Sequence, residues 1–142
     1  MMSTLIVDLK IINETKKPVA SLSEFLQMQE KPAAVFIDSH EDIENIKNFT
    51  SRIELIELNF PTFMDGRAYS SANILRRNFG YTSELRAVGD IRVDQLEQMV
   101  RCGFNAFRMN EDQNTDLGLE RLKGFSFSYQ PAFDRAPLFR QR

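Results

Sequence analysis

The sequence of 142 residues holds one cysteine, Cys102, and one histidine, His40. A single cysteine closes no disulfide within the chain, so nothing marks a secreted, stapled domain. Iron–sulfur clusters draw on several cysteine ligands, and c-type haem needs a Cys-x-x-Cys-His run. Neither can be assembled from this composition, and neither can a tetrahedral zinc site of Cys and His. Carboxylate-bound Mg or Mn stays open, but no tight acidic motif points to one, so neither metal nor cofactor is expected. A long hydrophobic run is missing too. The longest clean apolar stretch is Ala33 to Ile37, far short of the roughly 18 residues of a membrane span. The N-terminus has no basic start and carries Asp8 and Lys10 inside its apolar stretch, unlike a signal peptide. A cytoplasmic protein without membrane contact is the expectation. Charge of one sign is also lacking. Eighteen Lys plus Arg stand against twenty Asp plus Glu, so no basic field calls for nucleic acid. Gly66 has no partner glycines of a dinucleotide loop, and no Walker-type lysine follows.

What is present suits one globular α/β domain over 1–142. Apolar residues make up 42% and charged residues 27%, both ordinary for a chain that builds its own core. Leu5, Val7, Leu9 and Ile11 alternate with polar residues and read as one half-exposed N-terminal edge strand over 5–12. Residues 13–18 read as a polar turn. Ser21 and Glu24 have the spacing of a capping box, with Leu22, Phe25 and Leu26 at helical spacing behind them. Residues 33–38 suit a strand buried on both faces. Ser39 can cap a helix carrying Ile43, Ile46 and Phe49 inward. Strands follow at 53–58, 85–88 and 104–109. Between them lie a helix opened by Ser70 or Ser71, with Ala72, Leu75 and Phe79 inward, and a helix over 93–102. A helix over 116–123 precedes a last strand at 125–129. Three helices are expected to stop at Gly80, Gly103 and Gly124, where glycine permits a left-handed cap. Alternation of this kind predicts four to five mostly parallel strands, as an open sheet or part of a barrel. Residues 130–142 read as an extended C-terminal tail, either docked through Phe133 and Phe139 or disordered.

In parallel α/β folds ligands bind at the carboxyl ends of the strands. The longest loop there runs from Asn59 to Ser70. Arg67 offers a fork of donors, and Tyr69, Ser70 and Ser71 sit beside it, so this loop can hold an anion. The plainer alternative pairs Asp65 with Arg67 and leaves a serine as a cap. Asp65 and Asp90 can act as acid and base if their strands are neighbours, or stand as two separate loop acids. Arg86 lies within a buried strand on the face of Glu84, Val88 and Asp90. A buried guanidinium needs a partner, so it is either paired structurally or turned to a ligand. Asp94 and Gln95 follow on the next helix. Cys102 sits near a helix C-terminus, where the dipole disfavours a thiolate, and reads as packing.

The strings FPTFMDGRAYSSANILRR, ELRAVGDI and DQLEQMVRCGFNAF within 60–107, and more weakly YQPAFD near the end, resemble the bacterial family called domain of unknown function 934. By that resemblance the family motif maps onto Asp65, Gly66, Arg67, Tyr69, Ser70, Arg76, Glu84, Leu85, Arg86, Ala87, Gly89, Asp90, Asp94, Gln95, Arg101, Cys102, Gly103 and Phe104. The chain departs from it at Ser83, where glycine is expected, and in the order of Arg92 and Val93. Members are labelled oxidoreductases of sulfite reduction and tend to be encoded beside sulfite-reductase genes. Reducing sulfite to sulfide is a multi-electron step that calls for a haem or cluster, which this composition does not supply. The resemblance therefore implies an accessory protein of assimilatory sulfite reduction. Its carboxyl-end rim would engage a partner protein, sulfite reductase among them, or a small oxyanion. The alternatives are a small cofactor-free enzyme with an Asp acid/base and an Arg anion clamp, or an interaction module that acts as a homodimer.

Overall fold

Two consecutive left-handed residues, Asp8 at φ 52° and Leu9 at φ 63°, turn the N-terminal apolar stretch back on itself. Positive φ at both central positions is the mark of the two-residue hairpin turn whose twist matches its strands. In the computed structural model, which describes residues 2–15 and 18–126, strands β1 (Met2–Val7) and β2 (Lys10–Thr15) therefore pair antiparallel. This replaces the single strand expected over 5–12. It also absorbs Asn13–Thr15, read from sequence as a polar turn, because the ladder pairs them with Met2–Thr4. The turn changes which side chains point inward. Ile6 and Ile11 are register partners that pack on the core, whereas Leu5 faces the other way.

The alternation that follows holds. Strands β3 (Ala34–Ile37), β4 (Leu55–Phe60), β5 (Glu84–Gly89) and β6 (Ala106–Met109) are mutually parallel. β1 joins the free side of β6 antiparallel. The result is one open six-stranded sheet of order β2-β1-β6-β5-β4-β3. The N-terminal strand is present, but β2 takes the edge. Between the strands lie α1 (Leu22–Gln27), a 3-10 helix over Ile43–Arg52, α2 (Arg67–Asn73) with a π-turn over Ile74–Asn78, α3 (Leu96–Cys102) and α4 (Thr115–Ser126). The capping box at α1 forms as expected, with Ser21 and Glu24 each bonding the other's backbone N–H.

Three local expectations give way. Ser39 does not cap the 3-10 helix; Asp42 does, accepting from the Glu44 N–H at 2.9 Å. Ser70 and Ser71 lie inside α2 rather than at its start. The Asp65 carboxylate accepts from the Arg67 N–H at 2.9 Å and opens the helix earlier. Gly80 and Gly103 do take the left-handed φ that ends a helix, 71° and 116°. Gly124 does not end one, because α4 runs on to Ser126. A glycine interior to a helix costs only about 1 kcal/mol against alanine, which the packing of Leu119 and Leu122 against the core offsets. The strand expected at 125–129 thus starts within a helix. Residues 127–129 and the tail at 130–142 lie outside the described residues.

Strand neighbours β3 to β6 follow one another in chain order, and right-handed crossovers stepping always in one direction put their helices on one face. The core confirms it. Val35, Ile37, Ile56, Leu58, Phe60, Leu85, Ala87, Phe107 and Met109 form one cluster with residues from all four α-helices. β3 is thus buried mainly on this face rather than on both. The alternate residues Leu5, Glu57, Arg86, Val88, Ala106 and Arg108 face the other side.

Candidate functional site

The carboxyl ends of β3, β4 and β5 carry Asp38, Asn59 and Asp90. Asn59 Nδ2 donates to Asp38 Oδ1 at 3.0 Å. That bond, with the Ser39 N–H, holds the Asp38 carboxyl below its usual pKa, against a partly opposing burial. Gly89 lets the backbones of β4 and β5 approach here. A Cβ on it would lie 2.3 Å from Asn59 Oδ1 and 2.5 Å from the Phe60 carbonyl, and its φ is 94°. Only glycine fits such a position.

Over this end lies the loop from Pro61 to Gly66. The strip is tied on both sides. Toward β3, Ser39 Oγ donates to Asp65 Oδ2 at 3.0 Å. Toward β5, the Phe63 N–H donates to Asp90 Oδ2 at 3.1 Å, and Gln95 Nε2 donates to the Phe63 carbonyl at 2.6 Å. Arg92 donates from Nε to Asp90 Oδ1 at 3.2 Å and lays its guanidinium over the Phe63 ring, 4.2 Å from the centroid. A stacked, ion-paired arginine of this kind stiffens the ring it covers. Phe63 and Met64 nonetheless remain 37% and 79% exposed. The loop is therefore a firm platform with two apolar side chains on top.

The expected acids are both on this rim, on opposite sides of the loop. Asp65 grips Arg67 through two side-chain bonds, 2.6 and 3.1 Å, besides the bond to its N–H. Those bonds hold its carboxyl far below the aspartate range and raise the Arg67 guanidinium. A carboxylate so held stays ionised and makes a poor proton donor near neutral pH. Asp90 spends one oxygen on Phe63 and the other on Arg92. The arginine fork of Arg67, though exposed, is likewise occupied by Asp65.

The other expected binding residues do not gather around Arg67. Ser70 is exposed and Ser71 half-buried along α2, and Asp94 is exposed on the turn before α3. Tyr69 turns inward, edge-on to Phe60 at 5.1 Å, and burial pushes its hydroxyl pKa up. That hydroxyl and Gln95 Oε1 are buried without a hydrogen-bond partner. Cys102 is half-buried and its thiol is pushed up mainly by burial. Arg86 lies mid-strand on the helix-free face, bonded to Glu84 at 2.7 Å and to Glu57 at 3.2 Å. Glu57 also takes Arg108 at 2.6 Å. Sequence reasoning named Glu84 and missed Glu57. Its signal was an acid in an otherwise apolar strand, directly across the ladder from Arg86. Asp38 was missed as well, although it ends an apolar strand where rim residues sit. Among the described residues no group of three or more His, Cys, Asp or Glu is placed to hold a metal ion. No described helix is long and apolar enough to cross a membrane.

Motif residues thus gather at both ends of one sheet, with Arg86 mid-strand between them. A family model described as bacterial protein of unknown function (DUF934) matches residues 34–139. The chain belongs to that family. No curated protein and no solved structure matches it. Within this DUF934 chain, Asp65, Gly66, Arg67, Asp90 and Gln95 build the rim loop. Arg76 and Gly103 do something else: Arg76 is buried and donates to the Gly103, Tyr81 and Ser83 carbonyls at 2.9, 2.9 and 2.8 Å. It ties α2 to the segments that enter β5 and β6.

Proposed function

We propose that this DUF934 chain is a non-catalytic accessory protein of assimilatory sulfite reduction that docks on a partner protein through the rim loop Pro61–Gly66. The pathway rests on the resemblance, and the docking role rests on the loop. One observation carries it: Phe63 and Met64 stay exposed on a loop held by three side chains that follow the ends of β3 and β5. A stiff segment loses little entropy on binding, and exposed aromatic and methionine side chains are the residue types enriched at interface centres. The acid–base reading is weaker, since Asp65 and Asp90 each have both oxygens committed and Asp65 is held ionised.

The test is binding of the full chain to the sulfite reductase of the same organism, by interferometry, for wild type and Met64→Asp. Saturable binding that Met64→Asp weakens at least tenfold is the expected result. No binding, or binding untouched by Met64→Asp, overturns the proposal. Titration with sulfite, followed by amide NMR shifts at Arg67 and Ser70, separates an oxyanion site on the same rim.

A further inference from the structure

The two edges of the sheet end differently. At β3 the chain covers its own edge: the Phe36 N–H donates to the Ala20 carbonyl at 2.8 Å, and Ser21 bridges Phe36 in parallel. At β2 no strand, among the described residues, lies on the outer side. The two-residue turn makes Val7 and Lys10 a hydrogen-bonded pair, and alternation makes Leu5 with Ile12 and Ser3 with Glu14 pairs of the same kind. Ile11 and Asn13 therefore point their N–H and C=O away from β1. A bulge or a proline, either of which blunts an edge, is missing: the register from Met2–Thr15 to Val7–Lys10 is unbroken, and β2 reads KIINET. All its residues except Ile11 are exposed, Ile12 to 37%. Lys10, Ile12 and Glu14 share one face, an apolar residue between charges of opposite sign.

We propose that β2 is where a second copy of this chain pairs, antiparallel, about a two-fold axis at Ile12. With the axis there, Lys10 of each copy lies opposite Glu14 of the other, and Ile12 meets Ile12 at the centre. Ile11 of each copy faces Asn13 of the other, and the facing pair exchanges both main-chain bonds. Opposite charges and apolar groups facing each other across a ladder stabilise it, and like charges do the reverse. Neighbouring registers lose the match. An axis at Asn13 sets Ile12 against Glu14. An axis at Ile11 sets Lys10 against Ile12 and Asp8 against Glu14. An axis between residues sets outward N–H groups against inward ones. The same edge is used by both copies, so assembly closes at a dimer with one continuous sheet. A contact through one strand edge is small, and the dimer is accordingly weak. The rim loop is tied to the ends of β3 and β5, on the half of the sheet away from β2. Each dimer thus presents both rims free, and the pairing does not rest on the docking role.

The test is sedimentation of the full chain across a concentration series reaching about 1 mM, where a weak dimer is populated. A monomer–dimer equilibrium is the expected result. Lys10→Glu sets acid against acid on both sides of the axis and should weaken the dimer about tenfold. Lys10→Glu combined with Glu14→Lys restores opposite charges and should return the dimer to wild-type strength. Only an axis at Ile12 makes the two changes cancel, so the rescue reads the register. Both positions are exposed, and far-UV circular dichroism checks that each variant is folded. A folded chain that stays monomeric at the top of the series overturns the proposal. So does a dimer that Lys10→Glu leaves untouched, a dimer that the double variant fails to rescue, or growth into species beyond the dimer.

Discussion

The two ends of the parallel sheet use polar groups in opposite ways. At the amino ends of β5 and β6, one buried guanidinium, Arg76, satisfies three main-chain carbonyls. Tyr81 donates to the Glu84 carbonyl, and Asn105 accepts from the Leu85 N–H. Every one of these bonds ends on backbone, so the end is architectural. At the carboxyl ends the anchors are carboxylates: Asp38 takes Asn59 of β4, and Asp65 and Asp90 hold an outer loop. Water can replace much of what those carboxylates supply. Recognition surfaces tolerate change where the backbone beneath them is held by something else, and here the other end holds it.

The largest effect expected from breaking this division is Arg76→Ala. It strips three main-chain carbonyls, two of them buried, of their donor and leaves a cavity, for a loss of about 3–5 kcal/mol in urea unfolding. Arg76→Lys should recover little, since an ammonium lacks the planar fork. Gly103→Ala comes next. It forces an L-residue to φ 116° and places a Cβ 2.6 Å from Arg76 Cγ, for a loss of about 2 kcal/mol. A rim variant that destabilised the fold more than these two would erase the contrast between the ends.

Asp65→Asn should have a smaller effect with a distinctive pH dependence. The folded carboxyl lies below its unfolded value, so its contribution is present above the ordinary aspartate range near about 4. It is lost as the pH falls from there toward the depressed folded value. The wild-type advantage over Asp65→Asn in chemical unfolding should be flat above about pH 5 and shrink below it. An advantage that grew on acidification would refute the assigned pairing with Arg67. Met64→Asp should change the unfolding free energy least, by under about 0.5 kcal/mol, while removing partner binding. Loss of stability there would mean the loop is scaffold after all.

Much of the scaffold could be read along the chain. The capping box at Ser21 and Glu24, the helix stops at Gly80 and Gly103, and the strand–helix alternation all follow from rules that span a few residues. The rim was legible as a place, since loop polarity after each strand picked out Asp65 and Asp90. Its wiring was not. Ser39 was read as a cap, but it reaches Asp65 across the loop, and Phe63 was not singled out although its main chain is what Asp90 and Gln95 hold. Arg86 was placed with Glu84 by alternation along one strand. Glu57 needed the parallel register to bring it opposite.

By itself the amino-acid order determined the succession of elements, the absence of cysteine and histidine ligand sets, and the glycines that close two helices, because each is a matter of composition or of contacts within a turn. Tertiary structure decided which side of each strand faces the helices, how one buried glutamate comes to serve two arginines, and which loop the strand ends clamp. Those outcomes depend on register between segments far apart in the chain. A two-residue turn at Asp8 and Leu9 is enough to make two paired strands of one expected strand and to set Ile6 beside Ile11 on the core side.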